Sequence, residues 1–276
     1  MRKLATVAHA KVWGSPQTEP WFLHAETRLG CTNVGCTNVG EIWFASSPEF
    51  PLLVKLLFTA ESMSVQVHPG DAYAQQHENS RGKTEMWHVL RAEPGAQVAL
   101  GLRATITKQQ LREAAQSGEI ESLLNWVPAR AGDTFFVPAG TIHAIGAGLV
   151  LCEVQQRSDV TYRLYDYGRP RELHLDRAAD VAILTARENR PACTLPLECQ
   201  YFRTESVRVN GVVRCGSPGK DSVYIVIGGE GLIAGEPFRP GDAWEVDAGS
   251  EPFEIVSPGA VFLVSSPSSS SSVAAL

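Results

Sequence analysis

The sequence predicts a mainly β protein, either a sandwich or a barrel built from many short strands. The first observation is that short apolar runs recur along the chain: EIWF, LLVKLLF, SVQVH, EMWHVL, DTFFVP and LVLCEVQ. The second is that 24 glycines and 17 prolines provide turn signals between such runs. After Pro191 the same pattern resumes, so we expect strands in both halves of the chain.

Three segments depart from the strand pattern. Residues 107–125 are rich in helix formers, and Thr107 with Gln110 forms a capping-box pattern. We therefore predict a helical insertion near 105–126, broken near Ser117 and Gly118. A second short helix is predicted over residues 176–186. The serine-rich residues 267–276 predict a disordered tail.

The two β-rich parts of the chain resemble each other. GDTFFVPAGTIH (132–143) aligns without a gap with GDAWEVDAGSEP (241–252), which places His143 opposite Pro252. The second half thus looks like a copy of the same unit from which inward polar residues have been lost.

A second alignment, which sets Trp87 against Tyr224, places Glu85 opposite Ser222. No histidine follows His174, so any imidazole-based site belongs to the first half. We predict a catalytic domain over residues 1–190 and a degenerate β domain without metal ligands over residues 191–266.

Composition and charge narrow the classes of function. The chain has 276 residues, of which 44% are hydrophobic and 20% charged, as in an ordinary globular protein. A formal net charge of −6 argues against a general nucleic-acid surface, which needs excess lysine and arginine. No apolar run is long enough for a signal peptide or a membrane span. We therefore expect a cytoplasmic protein with reduced thiols that binds neither nucleic acid nor membranes.

The segment CTNVGCTNVG at residues 31–40 is a perfect five-residue tandem repeat. Its two cysteines are not in CxxC spacing, and no second pair lies nearby. We interpret the repeat as a local duplication in a loop that tolerates it.

Strand parity predicts which polar residues of SVQVH face inward. Side chains alternate along a strand, so Ser64, Gln66 and His68 share one face, and Val65 and Val67 share the other. With the valines on the packing side, the polar set faces the lumen of the barrel.

The same argument applies to KTEMWHV. Lys83, Glu85 and Trp87 share one face, and His88 lies on the opposite one. If Glu85 points into the lumen, His88 cannot, and we expect His88 to pack on the outer face.

A third candidate metal ligand is His143, which follows a tight turn in the segment PAGTIHAIG. Two imidazoles and a carboxylate form an open ligand set that is typical of a catalytic divalent ion. Gln66 can add an amide oxygen. Zinc is the first expectation, although manganese, cobalt or iron(II) also fits these nitrogen and oxygen donors.

The remaining histidines are assigned no chemistry. His77 lies in a polar, glycine-bearing stretch that predicts a loop, and His9, His24 and His174 stand alone.

Four motifs carry a family resemblance: SVQVHP, GKTEMW, PAGTIHAI and SDVTYRLYDYGR, in this order. They resemble the short bacterial type I mannose-6-phosphate isomerases, which are zinc-dependent members of the cupin superfamily. The resemblance is strong over residues 10 to 185 and includes KVWGS, GEIWF and LLVKLLF. It implies a cupin double-stranded β-helix, or jelly roll, with a small helical insertion and a second, degenerate cupin-like half. It also implies one Zn²⁺ per chain, a small phosphorylated sugar as substrate, and a monomer or homodimer.

The resemblance places the family's zinc ligands on four residues of this chain: Gln66, His68, Glu85 and His143. This is the set to which strand parity points. Two features depart from the family pattern. The duplicated CTNVG precedes GEIWF, and His88 stands where an aromatic residue commonly follows EMW.

The resemblance also implies residues that act on the substrate. The active-site arginine falls on Arg163, a substrate-contacting lysine on Lys83, and an acidic residue near the reacting carbons on Glu153. A phosphate-pocket lysine and serine fall on Lys55 and Ser64. Lys55 stands alone in an apolar run, so its burial demands an anionic partner. Arg163 could instead be a structural salt-bridge partner.

The implied reaction interconverts mannose 6-phosphate and fructose 6-phosphate by moving a proton between C1 and C2 through an enediol. The metal supplies an electrophile, Arg163 can stabilise the enediolate or the phosphate, and the base stays open among Glu153, Lys83 and a metal-bound water.

Two other classes of function fit parts of the sequence. A non-catalytic sugar-phosphate-binding cupin has no need of an electrophile beside the sugar carbons. A cupin oxygenase with iron(II) gives no reason for Lys55, Lys83 and Arg163.

Overall fold

The computed structural model describes residues 1–23, 38–188, 192–216 and 219–268, and these are mainly antiparallel β structure. The strands in the first part of the chain are β1 (Arg2–Lys3), β2 (Thr6–Ser15), β3 (Val39–Phe44), β4 (Leu52–Thr59), β5 (Val65–Val67), β6 (Glu85–Ala92), β7 (Gln97–Leu102), β8 (Leu124–Pro128), β9 (Thr134–Val137), β10 (His143–Ile145), β11 (Leu149–Gln156) and β12 (Tyr162–Tyr165). The later strands are β13 (Leu197–Glu198), β14 (Phe202–Cys215), β15 (Ser222–Gly228), β16 (Gly231–Ile233), β17 (Glu236–Phe238), β18 (Ala243–Val246) and β19 (Phe253–Pro267). The helices are α1 (Asp71–Glu78), α2 (Lys108–Ser117), α3 (Ile120–Leu123) and α4 (Leu175–Val181).

The chain divides into two compact units. The first unit contains Met1–Lys11, Pro16–Lys55 and Thr194–Leu276, and the second contains Val12–Ser15 and Leu56–Cys193. This division differs from the expected boundary at residue 190, because the N-terminal segment belongs with the C-terminal β structure. Strand β1 pairs antiparallel with β18, a long-range contact for which the sequence carries no local signal.

The second unit is built from two sheets with a shared interior. One sheet has the order β12-β5-β10-β7-β8, and strands β11, β6 and β9 are adjacent in another. The shared interior is an apolar cluster whose members include Trp87, Phe135, Ile145 and Leu151. The outer face of the five-stranded sheet carries a second apolar cluster together with the helices. This is the double-sheet β architecture that the sequence predicts.

The helical insertion confirms the capping-box prediction. Thr107 Oγ1 accepts a hydrogen bond from the Gln110 backbone N–H at 3.2 Å, and Gln110 Oε1 accepts one from the Thr107 N–H at 2.9 Å. Helix α2 ends at Ser117, where Gly118 has φ 83°, a left-handed conformation that glycine adopts without strain. The predicted break is therefore correct, although the insertion also contains strand β8.

Two other helices differ from expectation. Helix α4 ends at Val181, whereas the prediction extended it to residue 186. Helix α1 covers residues 71–78, where we expected a loop around His77. That prediction was wrong because α1 buries only Ala74 and therefore has almost no apolar stripe to recognise. His77 is exposed on α1, and its ring centroid lies 4.1 Å from that of Tyr73.

The first unit contains a sheet of the order β1-β18-β15-β19-β14-β13, with β16 on β19 and β17 on β16. Its strand registers agree with the alignment of the two halves. Glu85 pairs with Val137 in the second unit, and Ser222 pairs with Val246 in the first. Both aligned positions therefore occupy the same place in a strand pair. The degenerate nature of the second half stays a prediction that this register supports.

The first two residues of the expected disordered tail belong to the described structure. Pro267 is the last residue of β19, and Ser268 Oγ donates a hydrogen bond to the Cys199 carbonyl at 2.6 Å. Residues 269–276 lie outside the described part of the chain, as do His24 and most of the CTNVG repeat. The helices that the structure describes are all too short or too polar to cross a membrane.

Candidate metal centre and active site

Three side chains in the second unit bring donor atoms together. His68 directly follows β5, Glu85 begins β6, and His143 begins β10. They form the one group within the described residues that could hold a metal ion, with ligand atoms within 4.8 Å of one another. Nε2 of His68 lies 3.5 Å from Glu85 Oε2, and Nε2 of His143 lies 3.5 Å from Glu85 Oε1. All three side chains are fully buried.

The backbone determines which nitrogen each imidazole presents. His68 Nδ1 lies 3.0 Å from the Val160 carbonyl oxygen, and His143 Nδ1 lies 2.8 Å from the Thr141 carbonyl oxygen. Because a carbonyl can only accept, each Nδ1 carries the hydrogen and each Nε2 presents a lone pair. Burial lowers the pKa of His143 to about 4 despite the bond to Thr141, so this ring is neutral near pH 7.

The donor set fits a divalent ion. Two imidazole lone pairs face a carboxylate, an arrangement that is repulsive unless a cation lies between them. Two donors that each lie about 2.1 Å from one tetrahedral zinc ion are about 3.4 Å apart, close to the 3.5 Å separations observed here. The carbonyl partners of both Nδ1 atoms provide the outer support that metal-binding imidazoles commonly have.

Gln66 lies where a fourth donor is expected. It is the cross-strand partner of His143, and its Nε2 is 3.2 Å from His143 Nε2. Turning the amide by 180° places Oε1 at that position instead. Ser64 Oγ, also buried, donates to Gln66 Oε1 at 3.3 Å. Both residues face the same interior, because Val65 and Val67 pack in the outer cluster.

Lys83 and Glu153 flank the carboxylate ligand. Lys83 Nζ lies 3.2 Å from Glu85 Oε2, and its side chain is buried. Trp87 Nε1 donates to Glu85 Oε1 at 3.1 Å and to Glu153 Oε2 at 3.2 Å. One indole N–H therefore connects the ligand carboxylate with the second buried carboxylate. The sequence placed Trp87 on this face but did not reveal its role.

Arg163 faces the same interior from β12. It is the cross-strand partner of Gln66, while its neighbours Tyr162 and Leu164 pack in the outer cluster. Nη1 of Arg163 donates to the Glu172 carbonyl at 2.8 Å. Nε of Arg163 is buried and has no hydrogen-bond partner among the described residues. Burial lowers the pKa of Arg163, but a guanidinium stays charged at any relevant pH.

Lys55 belongs to the first unit and has a protein anion beside it. Its Nζ lies 3.8 Å from Glu41 Oε2 and 4.4 Å from the ring centroid of Trp43. Lys11 Nζ lies 3.1 Å from the other oxygen of Glu41. Burial alone raises the pKa of Glu41, but the two lysines outweigh it and lower the pKa to about 2. The buried anionic partner that the sequence demanded for Lys55 is therefore Glu41.

A buried amide secures the segment between the two ligand strands. Gln156 Oε1 accepts from the Thr84 N–H at 2.9 Å, and Gln156 Nε2 donates to Asp71 Oδ1 at 2.9 Å. The same Asp71 oxygen accepts from the Gly82 N–H at 2.8 Å. A Cβ on Gly82 would lie 2.6 Å from the Asp71 nitrogen, so this close approach requires glycine. No local sequence signal predicts these contacts.

His88 lies outside the metal group, as strand parity predicts. Its Nδ1 is 2.9 Å from Thr134 Oγ1, and the residue is only 8% exposed. Burial lowers the pKa of His88 to about 4, although Asp133 opposes the shift. His88 is thus a neutral, buried histidine rather than a residue of an open outer face.

Outside the site, Asp166 forms ion pairs with two arginines. Arg169 Nε lies 3.3 Å from Asp166 Oδ1, and Arg171 Nη2 donates to the same oxygen at 2.6 Å. These contacts support a structural role for the DYGR segment.

A double-sheet β scaffold with an inward imidazole–carboxylate–imidazole set defines a cupin with a candidate metal site. Comparison with known proteins narrows this class. The chain is 38% identical over 227 residues to mannose-6-phosphate isomerase ManA of Bacillus subtilis, which covers 75% of this chain and 72% of that protein. It is 37% identical over 204 residues to the mannose-6-phosphate isomerase of Streptococcus mutans, which covers 68% of this chain and 64% of that protein. No protein-family model matches the chain.

Two solved structures are similar to this chain in fold. A crystal structure of the mannose 6-phosphate isomerase from Bacillus subtilis superposes with a TM-score of 0.82 at 27% identity, covering 96% of this chain and 98% of that one. A putative mannosephosphate isomerase from Archaeoglobus fulgidus has a TM-score of 0.79 at 18% identity, covers 97% of this chain and 98% of that one, and shows the fold alone. The chain belongs to the mannose-6-phosphate isomerase family.

Proposed function

We propose that the protein is a zinc-dependent aldose–ketose isomerase that interconverts mannose 6-phosphate and fructose 6-phosphate through an enediol intermediate. Family membership supports sugar-phosphate isomerisation as the class of reaction. The observation that carries the proposal is the buried convergence of His68, Glu85 and His143, with Lys83 and Glu153 beside them.

The ligand set that we propose is His68, Glu85, His143 and Gln66, holding one zinc ion per chain. A bound zinc ion supplies an electrophile for a substrate oxygen in this site. Every proposed ligand side chain is buried, so the metal position itself is shielded from bulk water. Fixed charges in such a buried site interact more strongly with a developing oxyanion than they would in bulk water.

Glu153 is the base that we favour for the transfer of a proton between C1 and C2. It is a buried carboxylate outside the ligand set, and the Trp87 N–H fixes the position of its Oε2. Lys83 is the weaker candidate because its ammonium is already paired with the Glu85 carboxylate at 3.2 Å. We therefore assign Lys83 to the stabilisation of negative charge on the substrate.

Arg163 and Ser64 complete the proposed substrate site. Arg163 lies beside Gln66 with a buried N–H that can donate, so it can stabilise the enediolate or the phosphate. Ser64 contributes a hydroxyl on the same face. Lys55 stays a predicted phosphate ligand, and in that role it would share its ammonium between the phosphate and Glu41. Localisation in the cytoplasm and a monomeric or homodimeric state are proposed from the sequence alone.

A coupled assay tests the activity. The zinc-loaded protein is given mannose 6-phosphate, and fructose 6-phosphate is measured as it forms. We expect turnover that disappears after chelation and returns with zinc. Saturable binding of the sugar phosphate without isomerisation would instead indicate a binding protein on the same scaffold. Absence of turnover across related hexose phosphates would reject the enzyme.

A further inference from the structure

Gln155 is a buried polar residue that the proposed mechanism does not use. It lies on β11 as the cross-strand partner of Glu85, so both side chains are on the same face of the sheet. Leu151 and Trp87, on that same face, pack in the interior cluster of the second unit. The Gln155 side chain therefore begins in the interior, next to the carboxylate ligand, and it is fully buried.

The orientation of the Gln155 amide is determined by its own nitrogen. Nε2 donates to the Gln156 carbonyl at 3.0 Å and also to the Ser158 carbonyl in a short contact. These two acceptors use both hydrogens of the amide. The reversed amide would direct Oε1 at two carbonyl oxygens, which is repulsive, so Oε1 must occupy its observed position.

Oε1 of Gln155 is a buried acceptor without a hydrogen-bond partner among the described residues. Buried carbonyl oxygens in proteins are nearly always paired, because leaving one unpaired is unfavourable. The adjacent polar residues on the same face, Glu85 across the strand pair and Glu153 two positions earlier, are carboxylates that offer no hydrogen. The oxygen is therefore available to accept a hydrogen bond from a molecule that enters the site.

We propose that Gln155 is a substrate-binding residue whose Oε1 accepts a hydrogen bond from a sugar hydroxyl. This inference rests on the proposed function, because it takes the bound molecule to be a hexose 6-phosphate. It makes Gln155 a specificity-determining residue, since a site built to accept from one hydroxyl discriminates against a sugar that lacks it.

The substitution Gln155→Met tests the proposal, because methionine has a similar length and carries no amide oxygen. The ligands are a 1,5-anhydrohexitol 6-phosphate, which cannot isomerise, and analogues that each lack one hydroxyl at C2, C3 or C4. Kd is measured by calorimetry for the zinc-loaded protein, with zinc content and Tm determined for each variant. Gln156→Met is the matched control, because it removes a neighbouring buried amide whose polar atoms already have protein partners.

In the wild-type protein we expect one deoxy analogue to bind about tenfold or more weakly than the parent compound. In Gln155→Met that difference should disappear, while Gln156→Met should keep it even if all affinities fall together. If Gln155 has a purely structural role, Gln155→Met should weaken binding of the parent compound and of every deoxy analogue by the same factor. The difference in Kd between them, which is the hydroxyl dependence, would then be unchanged, and this result would overturn the proposal.

A crystal structure of the wild-type complex keeps the proposal testable if Gln155→Met does not fold. We expect a sugar hydroxyl within about 3 Å of Gln155 Oε1. An ordered water at that position, with every sugar hydroxyl beyond hydrogen-bond distance, would overturn it. If the wild-type protein neither binds nor turns over sugar phosphates, the proposed function fails as well. If the wild-type protein turns over sugar phosphates but Gln155→Met keeps the same hydroxyl dependence as the wild type, only the assignment of Gln155 fails.

Discussion

The indole N–H of Trp87 connects the ligand Glu85 with the buried carboxylate of Glu153, and its removal should weaken zinc binding. Trp87→Phe keeps an aromatic ring in the interior cluster but removes the donor that lies 3.1 Å and 3.2 Å from the two carboxylates. Without it, the Glu85 side chain loses a contact that orients its oxygens, and Glu153 loses a donor in a buried position.

The size of the effect follows from that one shared hydrogen. A hydrogen bond to a charged acceptor contributes about 1.5–3 kcal/mol, and because one hydrogen serves both acceptors we count it once. About 2 kcal/mol corresponds to a roughly 30-fold weaker Kd. This lies within the range of about 10- to 100-fold that is typical when the partner of a metal ligand is removed.

The assay is a zinc titration of the metal-free protein in competition with a chromophoric chelator. Trp13→Phe is the matched control, because Trp13 is buried in the same cluster and is not hydrogen-bonded to Glu85 or Glu153. We expect a roughly 30-fold loss of affinity for Trp87→Phe and near wild-type affinity for Trp13→Phe. Equal affinities in the two variants would refute the idea that the Trp87 N–H supports the ligand.

Three further predictions address metal binding, catalysis and stability. Glu85→Ala should abolish zinc binding, whereas His88→Ala should leave it nearly intact; equal zinc loss by metal analysis would show that the strand parity is wrong. Arg163→Ala should retain zinc but lose most of kcat/KM, and near-normal kinetics would make Arg163 a structural residue. Because the pKa of His88 is lowered from 6.5 to about 4, the unfolded state binds the proton more readily. The contribution of His88 to the free energy of unfolding should therefore be constant above pH 6.5 and fall by up to about 3 kcal/mol as the pH drops to about 4. Because His143 has a similarly lowered pKa, urea unfolding of His88→Leu should show a smaller decrease than the wild-type protein, and an identical pH dependence in both proteins would contradict the assignment.

Period-two alternation predicted which side chains of the candidate site face the interior. It sorted Gln66 and His68 away from Val65 and Val67, and the structure shows the valines in the outer cluster. It also separated Glu85 from His88, which hydrogen-bonds to Thr134 instead. Such predictions succeed because the direction of a side chain in a strand depends only on local backbone geometry.

Strand alternation does not predict contacts between segments that are distant in the sequence. The Asp71–Gln156 hydrogen bond joins residues that are 85 positions apart, and neither residue belongs to a recognisable pattern. Strand β1 pairs with β18 across most of the chain, so the expected domain boundary differs from the compact units. Helix α1 was missed for a different reason, because a polar helix that buries one alanine has no periodic apolar signal.

The sequence predicts that buried Lys55 needs an anionic partner, but it does not identify that partner. Its place in LLVKLLF required a buried anion, and a substrate phosphate or a protein carboxylate would each satisfy that demand. The structure supplies Glu41, whose second lysine partner, Lys11, lies on β2. Sequence pattern alone does not distinguish these partners, because they differ only in three-dimensional position.

A stoichiometric zinc titration of activity tests the central claim most directly. Metal-free protein is loaded with increasing zinc, and the rate of fructose 6-phosphate formation from mannose 6-phosphate is measured at each step. We predict that activity rises in proportion to bound zinc and levels off at one ion per chain. Full activity in the metal-free protein, or no activity with one zinc ion bound, would contradict the account.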